Sequence, residues 1–451
     1  MRSIVIGAGK MGFSIAKLLS NENHDVVLID NNEERIRIID DVLDVQVIAG
    51  TGSSWRVLES AGVRNADMVV AVTEIDELNM IACFLAKQYG VKTTIARVRD
   101  TEYVEQPHFS IANLLGIDLI INPEMVTAFE IFNIIKNPEA VNVDYYSDNK
   151  VLLAEFIIRN DSPIVNNQLK QLDASKFVIL SIVHDNHMIV PSGDDIIRGG
   201  DHVYIITKTE DISAVLKSLG IIRKKIEHVT ILGAGRTGYY LAKILENEMK
   251  NVSIKVIEKN PLRAREVSNM LSRSMVIKGD GADLDLLTAE NIGQSDIYVA
   301  VTDDDKLNLL SSLIAKNIGV KKTIAKVKRE DILPLMEEIG IDAVLSPRVL
   351  AAGYILKYIR QGDIVSVTVL GNENAEMIEF NAQSGSVVVN KQLMNIRFPA
   401  GSVVGAIVRN GEVYIPSGDF EILANDKVMV FALPASIHKI EKLFSSRLKK
   451  W

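Results

Sequence analysis

The sequence predicts an α/β chain made of two doubly wound parallel sheets, each followed by a small, strand-rich α+β domain. Three observations predict it. Short Val/Ile/Leu runs alternate with amphipathic stretches at helical spacing, two of those runs end in a glycine loop ("GAGKMG" and "GAGRTG"), and the first half of the chain recurs in the second. Nearly continuous apolar strands between helices call for a sheet covered on both faces, and right-handed crossovers then give the doubly wound arrangement.

In the first copy, "SIVIG" precedes "KMGFSIAKLLSNEN", "DVVLID" precedes "NEERIRIIDDV", and "DVQVIAG" precedes "SSWRVLESAG". Next come "ADMVVAVT", a helical pattern from Asp76 to Tyr89, "TTIARV", a helix near His108 to Leu115, and "IDLIINP". The loop glycines Gly7, Gly9 and Gly12 correspond to Gly233, Gly235 and Gly238, a shift of 233 − 7 = 226, and Thr73 corresponds to Thr302, a shift of 302 − 73 = 229. The second part of each half also echoes: "PSGD" recurs at Pro191 and Pro416, after alternating runs broken by turn signals at Asp185-Asn186 and Asn410-Gly411. Segments Pro123 to Pro138 and Pro347 to Gln361 read as helices leaving each sheet domain, as hinges or dimer contacts, and "RKKIE" around Lys224 as the connector between halves. The expected domains are 1–138, 139–223, 224–362 and 363–451.

At 451 residues the chain is long for one core, since domains run to roughly 100–200 residues. No apolar run approaches the ~18–20 residues that cross a bilayer, and Met1 stands directly before the first strand, so a cytoplasmic chain without a cleaved leader is expected. Cys83 is the only cysteine, which excludes an internal disulfide and a cysteine-based zinc site; its apolar helical neighbours assign it to packing. A formal charge of −8 argues against nucleic acid as a partner, and the basic "SSRLKKW" reads as a solvated helix end.

Each glycine loop follows a strand, opens a helix, and is followed by an acid at the end of the next strand: Asp30, 30 − 7 = 23 residues on, and Glu258, 258 − 233 = 25 residues on. That is the Rossmann dinucleotide fingerprint. The first glycine permits the tight turn, the second lets backbone approach a pyrophosphate, and the third allows close helix packing, with the helix N-terminus supplying N–H donors. Ala8, Lys10 and Met11 complete the first loop, and Ala234, Arg236 and Thr237 the second. Lys10 and Arg236 share one position, where a cation either reaches a phosphate or simply faces solvent. Asp30 and Glu258 are expected to accept hydrogen bonds from a ribose, and Asp30, being anionic, to disfavour a 2′-phosphate.

"VTEIDELN" and "VTDDDKLN" fall where the fourth strand ends, at the ligand-binding edge of such sheets. Thr73, Glu74 and Asn79, and Thr302, Asp303 and Asn308, are candidates to line the ligand there; Asp76 and Asp305 either join them or serve as N-terminal caps and dipole partners of their helices. Gly50-Thr51 and Gly279-Asp280 end the third strand, with the glycines expected to let backbone approach a base, and Arg97 and Lys326 finish the fifth as candidate cations. An NAD-dependent oxidoreductase is the obvious enzymatic reading, but none of the seven histidines recurs between halves or shows a relay partner in the sequence. "HDNH" straddles a hairpin and reads as surface, and neither a P-loop nor a nucleophile elbow is present.

With its duplicated Rossmann unit ("GAGKMG…VVLID", "GAGRTG…IKVIE"), its two "AVT…LN" stretches and its two modules carrying "PSGD", the chain resembles the tandem-repeat RCK (regulator of potassium conductance) proteins of the TrkA family over residues 1 to 450. The resemblance implies a non-enzymatic regulator that binds NAD(H) and ATP or ADP, and assembles as a homo-oligomeric, tetrameric ring on the inner face of the membrane beneath a Trk-type potassium-translocating subunit. The regulatory ring of another potassium channel or transporter is the neighbouring alternative, although such subunits usually carry one repeat. By position, Gly7, Gly9, Lys10, Gly12, Asp30, Thr73 and Arg97 become the first-site candidates, and Gly233, Gly235, Arg236, Gly238, Glu258, Gly279, Asp280, Thr302 and Lys326 the second. The family's Gly-Asp pair after the third strand survives as Gly279-Asp280 but not as Gly50-Thr51, so the two sites are not expected to share one ligand preference.

Overall fold

The computed structural model describes residues 1–21, 24–104, 110–173, 175–185, 187–223, 225–359, 364–370 and 375–445. Lys224, Asn186, Gln361, the start of the expected helix at His108 and the basic end from residue 446 lie outside the described residues. By contacts the chain divides into two compact units, Met1–Phe132 with Glu227–Ile355, and Asn133–Ile226 with Leu356–Trp451. The first holds the two parallel-sheet domains and the second the two strand-rich ones.

In the first parallel sheet the strands are Arg2–Ile6, Asp25–Asp30, Gln46–Ala49, Met68–Ala71, Thr93–Arg97 and Leu119–Ile121, in spatial order 3-2-1-4-5-6. The second repeats that order with His228–Leu232, Ser253–Glu258, Met275–Lys278, Ile297–Ala300, Lys322–Lys326 and Ala343–Leu345. Consecutive residues Ile4, Val5 and Ile6 are all buried, because helices cover both faces. The first helix, Lys10–Asn21, buries Met11, Ile15 and Leu19 on one stripe and leaves Lys10 and Lys17 exposed. Strand order reverses between the first and fourth strands, and this opens the crevice where ligands of such sheets bind.

Cys83 is fully buried, its Sγ donates to the Ile95 carbonyl at 3.3 Å, and burial pushes the thiol up to about 12. It is a packing residue. No helix among the described residues is long and apolar enough to cross a membrane.

Each strand-rich domain carries a five-stranded antiparallel sheet. The first runs, across the sheet, Val143–Tyr146, Val151–Ile157, His202–Lys208, Phe177–His184 and His187–Ile189; the second matches it with Ile364–Leu370, Ala375–Asn381, Lys427–Ala432, Ser402–Arg409 and Glu412–Tyr414. Beyond the hairpin and last strand legible in the sequence, each has two leading strands and a helix, Ile212–Ser218 or Pro434–Phe444, that closes the outer face. The inner faces form one core, in which Leu153, Leu180 and Ile206 meet Met377, Ala406 and Phe431. Gly405 marks the closest approach, since a Cβ there would lie 2.7 Å from Ile206 and 2.8 Å from Leu180.

The expectation that no histidine has a relay partner is corrected here. His184 Nδ1 lies 2.6 Å from Asp201, which is buried, and Arg198 lies 2.9 Å from its Nε2; His202 Nδ1 lies 2.6 Å from the buried Glu155. Both acids lie on or beside a neighbouring strand 17 or 47 residues away in sequence, so only the fold brings them together. Arg409 holds Asp426 in the second copy at 2.8 Å, so the buried acid recurs while its basic partner changes between repeats.

Candidate functional site

Both glycine loops are built the same way. Gly7 N–H donates to Ile29 O at 2.8 Å, and Gly233 N–H to Ile257 O at 2.8 Å, so each loop leaves its sheet one residue beyond the strand. Gly7 then adopts φ +106°, and a Cβ there would sit 3.0 Å from Thr73 N; Gly233 adopts φ +100° with Thr302 N at 3.1 Å. A Cβ on Gly12 would fall 1.7 Å from Gly7 O, and one on Gly238 1.9 Å from Gly233 O, so helix and loop touch only because these residues have no side chain. At Gly9 and Gly235 a Cβ would meet nothing within 4 Å. The middle glycines therefore leave space in front of the loop, and the helix starts there, with Phe13 N–H on Gly9 O and Tyr239 N–H on Gly235 O, both at 2.9 Å. First-turn N–H groups without intrahelical partners and open space beside them make a cradle suited to an anion.

The acid after the second strand fastens this loop. Asp30 accepts from Ala8 N–H at 2.6 Å and from Asn32 N–H at 2.8 Å; Glu258 accepts from Ala234 N–H and Asn260 N–H, both at 2.8 Å. Both acids also line the cleft described below, with lone pairs to spare for a ligand hydroxyl. Their role is thus partly architectural, which the spacing alone did not reveal.

Three further expectations are corrected. Asn79 and Asn308 do not line the ligand space: both are fully buried. Asn79 accepts from Thr73 N–H at 2.9 Å and Thr73 Oγ1 at 2.7 Å, and donates to Thr73 O at 3.1 Å and Arg97 O at 2.8 Å. Asn308 repeats the pattern with Thr302 and Lys326 O. Each amide thus ties the end of the fourth strand to the end of the fifth. Asp76 and Asp305 do not line the cleft; each stands in the first turn of its helix, where its charge suits the helix dipole as expected, but neither is the cap residue. Asp76 accepts from Arg99 and Asp100 N–H at 2.8 and 2.9 Å, Asp305 from Lys328 N–H at 2.9 Å, and the cap of the second helix is Asp304. Gly50 and Gly279 line the cleft, but a Cβ on them would strike Val57 at 2.7 Å and Leu286 at 2.1 Å, so the glycine answers the helix behind the loop rather than a base in front of it.

The two cradles open onto one continuous cleft of ≈ 1870 Å³ within the first unit. Every loop candidate except Gly12, Ala234 and Gly238 lines it, together with Asp30, Thr51, Thr73, Glu74, Arg97, Glu258, Asp280, Thr302, Asp303 and Lys326. Gly238 is turned into the loop, and Ala234 is spent on Glu258. The two halves also meet directly, with Asn122 donating to Tyr240 OH at 3.3 Å.

Charge in the cleft is mixed and unevenly satisfied. Lys326 is 7% exposed, and burial holds its ammonium below the ordinary lysine range. Arg97 is half-buried, and its proton affinity is lowered first by burial and then by Arg99; its Nε has no partner, and Nη1 reaches only Thr73 O at 3.4 Å. Glu124 exerts its field on both cations. Thr237, 2% exposed in the second loop, has a hydroxyl without a hydrogen bond. Under-used cations, an orphan hydroxyl and open glycines fit an anionic nucleotide. Lys10 and Arg236 begin their helices exposed, at the cleft wall. Lys328 and Arg99, two residues beyond the expected cations, also line the cleft; the signal was present in "ARVR" against "AKVK".

The model of the TrkA-N domain matches residues 3–123 and 229–347, and that of the TrkA-C domain matches 153–220 and 377–445. The chain belongs to the TrkA family. Relatives within it include a "Trk system potassium uptake protein TrkA homolog 2" of Methanosarcina mazei, 38% identical over 98% of this chain and 100% of its own length. The TrkA protein of Azorhizobium caulinodans is 34% identical over 100% of both. Among solved structures, the GsuK RCK domain is similar with a TM-score of 0.61 at 14% identity, covering 98% of this chain and 94% of that one. A GsuK channel bound to NAD gives 0.62 at 15%, covering 98% and 78%. These likenesses show that this TrkA-family chain has the tandem RCK fold.

Proposed function

We propose that this chain is a non-enzymatic regulatory subunit of a Trk-type potassium uptake system, one that binds NAD(H) and ATP or ADP in its two parallel-sheet domains and gates a potassium-translocating membrane subunit. The observation that carries the reading is the pair of equivalent glycine cradles opening onto one cleft with under-satisfied cations. The full-length relatives named as Trk potassium uptake proteins supply the system, and a GsuK channel solved with NAD supports the ligand class.

In this reading the N–H groups at Gly9–Gly12 and Gly235–Gly238 hold the phosphates, Lys10 and Arg236 add charge, and Asp30 and Glu258 take the ribose hydroxyls. Thr51, Thr73 and Glu74 border the first ligand, and Asp280, Thr302 and Asp303 the second. The domain limits are those expected from the sequence, and the chain works as a homo-oligomeric, tetrameric ring on the cytoplasmic face of the membrane. A bound nucleotide supplies binding energy alone. It shifts the ring only by its differential affinity for the two states, and moving 1:99 to 99:1 takes ~5.5 kcal/mol, which several subunits together can supply.

The test is potassium uptake in cells lacking their own regulator, restored by the wild-type chain and lost with Gly9→Asp plus Gly235→Asp. Restoration by the double variant would exclude nucleotide control. Co-purification from membranes identifies the translocating partner.

A further inference from the structure

The second cradle contains an anion of its own. Asp303 Oδ1 lies 3.3 Å from Lys326 Nζ and 3.3 Å from Lys328 Nζ. The three side chains differ sharply in their surroundings: that of Lys326 is 9% exposed, that of Lys328 50%, and that of Asp303 85%. A buried ammonium needs an anion, because desolvation costs it several kcal/mol. Besides the field of Glu124, the anion it has is a single carboxylate that is itself largely in solvent, and exposed ion pairs contribute only ~0–1 kcal/mol. High demand and a weakly held partner describe an exchangeable counterion.

The equivalent place in the first half is arranged differently. Glu74 stands where Asp303 does, yet its carboxylate makes no ion pair with Arg97 or Arg99 among the described residues. Arg99 is turned to the Glu74 carbonyl at 2.7 Å, and its Nε lies 3.9 Å from Asp76. Arg97 keeps an unpartnered Nε. The first site is open toward an anion where the second is already filled.

We propose that Asp303 holds the place of a ligand phosphate on Lys326 and Lys328, so that the second cradle accepts a nucleotide's terminal phosphate only by displacing this carboxylate. The proposal rests on the nucleotide reading above and adds a ligand class to it: the second site takes nucleoside di- or triphosphates. A phosphate carries more charge than a carboxylate and three acceptor oxygens, so it outcompetes Asp303 where a neutral group does not. A monophosphate, held by the glycine loop, leaves the Asp303 pair in place.

The experiment uses the full chain with the first cradle blocked by Gly9→Asp, titrated calorimetrically with ATP and with AMP in buffer containing EDTA. In that background Asp303→Asn is expected to tighten ATP about three- to tenfold, the equivalent of releasing one or two exposed ion pairs. AMP changes little. Asp303→Ser serves as a second variant, with melting curves confirming the fold of each. Unchanged or weaker ATP binding in both Asp303 variants overturns the latch alone. Failure of ATP, AMP and NADH to bind any of these proteins, or the wild type, overturns the nucleotide reading and the latch with it.

Discussion

The first and second nucleotide cradles share a backbone and differ in charge. In both, a left-handed glycine turns under a threonine, an acid clamps the loop, and a buried asparagine ties the fourth strand to the fifth. Around that common frame the first half places Thr51, a Glu74 carboxylate without an ion pair among the described residues, and Arg97, whereas the second places Asp280 paired to Lys259 at 2.7 Å, Asp303 and a buried Lys326. After duplication, the first and third glycines of each loop tolerate almost no change, since a Cβ on either would crowd or collide with backbone. The residues that face the ligand are free to diverge, and with them ligand preference and the effort needed to displace what is already there.

Substitutions break the shared frame most severely. Gly12→Ala and Gly238→Ala each place a Cβ under 2 Å from a backbone oxygen, and should cost about 3–5 kcal/mol by denaturant unfolding, equally in both halves. Asn79→Ala and Asn308→Ala strand several buried backbone groups, and about 2–3 kcal/mol of destabilisation is expected for each, again symmetrically. A large difference between the halves in either pair would show that the frame is not equivalent.

Lys326→Met sharpens the difference. Burial lowers the Lys326 pKa, so the unfolded chain binds this proton more tightly than the fold does. Stability therefore rises with pH between the depressed value and the ordinary lysine value, and the charged form is a cost throughout the neutral range. Removing it should leave neutral-pH stability within about 1 kcal/mol of wild type or raise it, and abolish the alkaline rise. Nucleotide affinity of the second site should nevertheless fall by roughly 10- to 100-fold. Smaller still, Lys10→Ala and Arg236→Ala change exposed cations and should weaken only their own sites, by about two- to fivefold, more at low salt than at high.

What was legible in the sequence is what is local. Strand and helix order, the glycine turns and the positions of the acids after the second strand come from residues within one βαβ unit, and the duplication doubled each signal. What escaped depends on neighbours that only the sheet order creates. Asp76 sits at a helix start and reads as a cap, yet its partners are Arg99 and Asp100 on a loop 23 and 24 residues away. Asn79 reads as a ligand contact because it recurs beside Thr73, but the fifth strand lies against the fourth and takes it inward. Gly50 looked like room for a base, and Val57 packs where the Cβ would be. The leading strands of the antiparallel sheets were hidden because they diverge between repeats, and the His184–Asp201 pair because its second copy is Arg409–Asp426.

Counting nucleotides per chain by equilibrium dialysis tests the central claim most directly. The account predicts two bound adenine nucleotides or NAD(H) for the wild type, one for Gly9→Asp or Gly235→Asp, where an added Cβ meets nothing within 4 Å, and none for the double variant. A wild-type chain that binds none at millimolar ligand, or a double variant that still binds two, would contradict it.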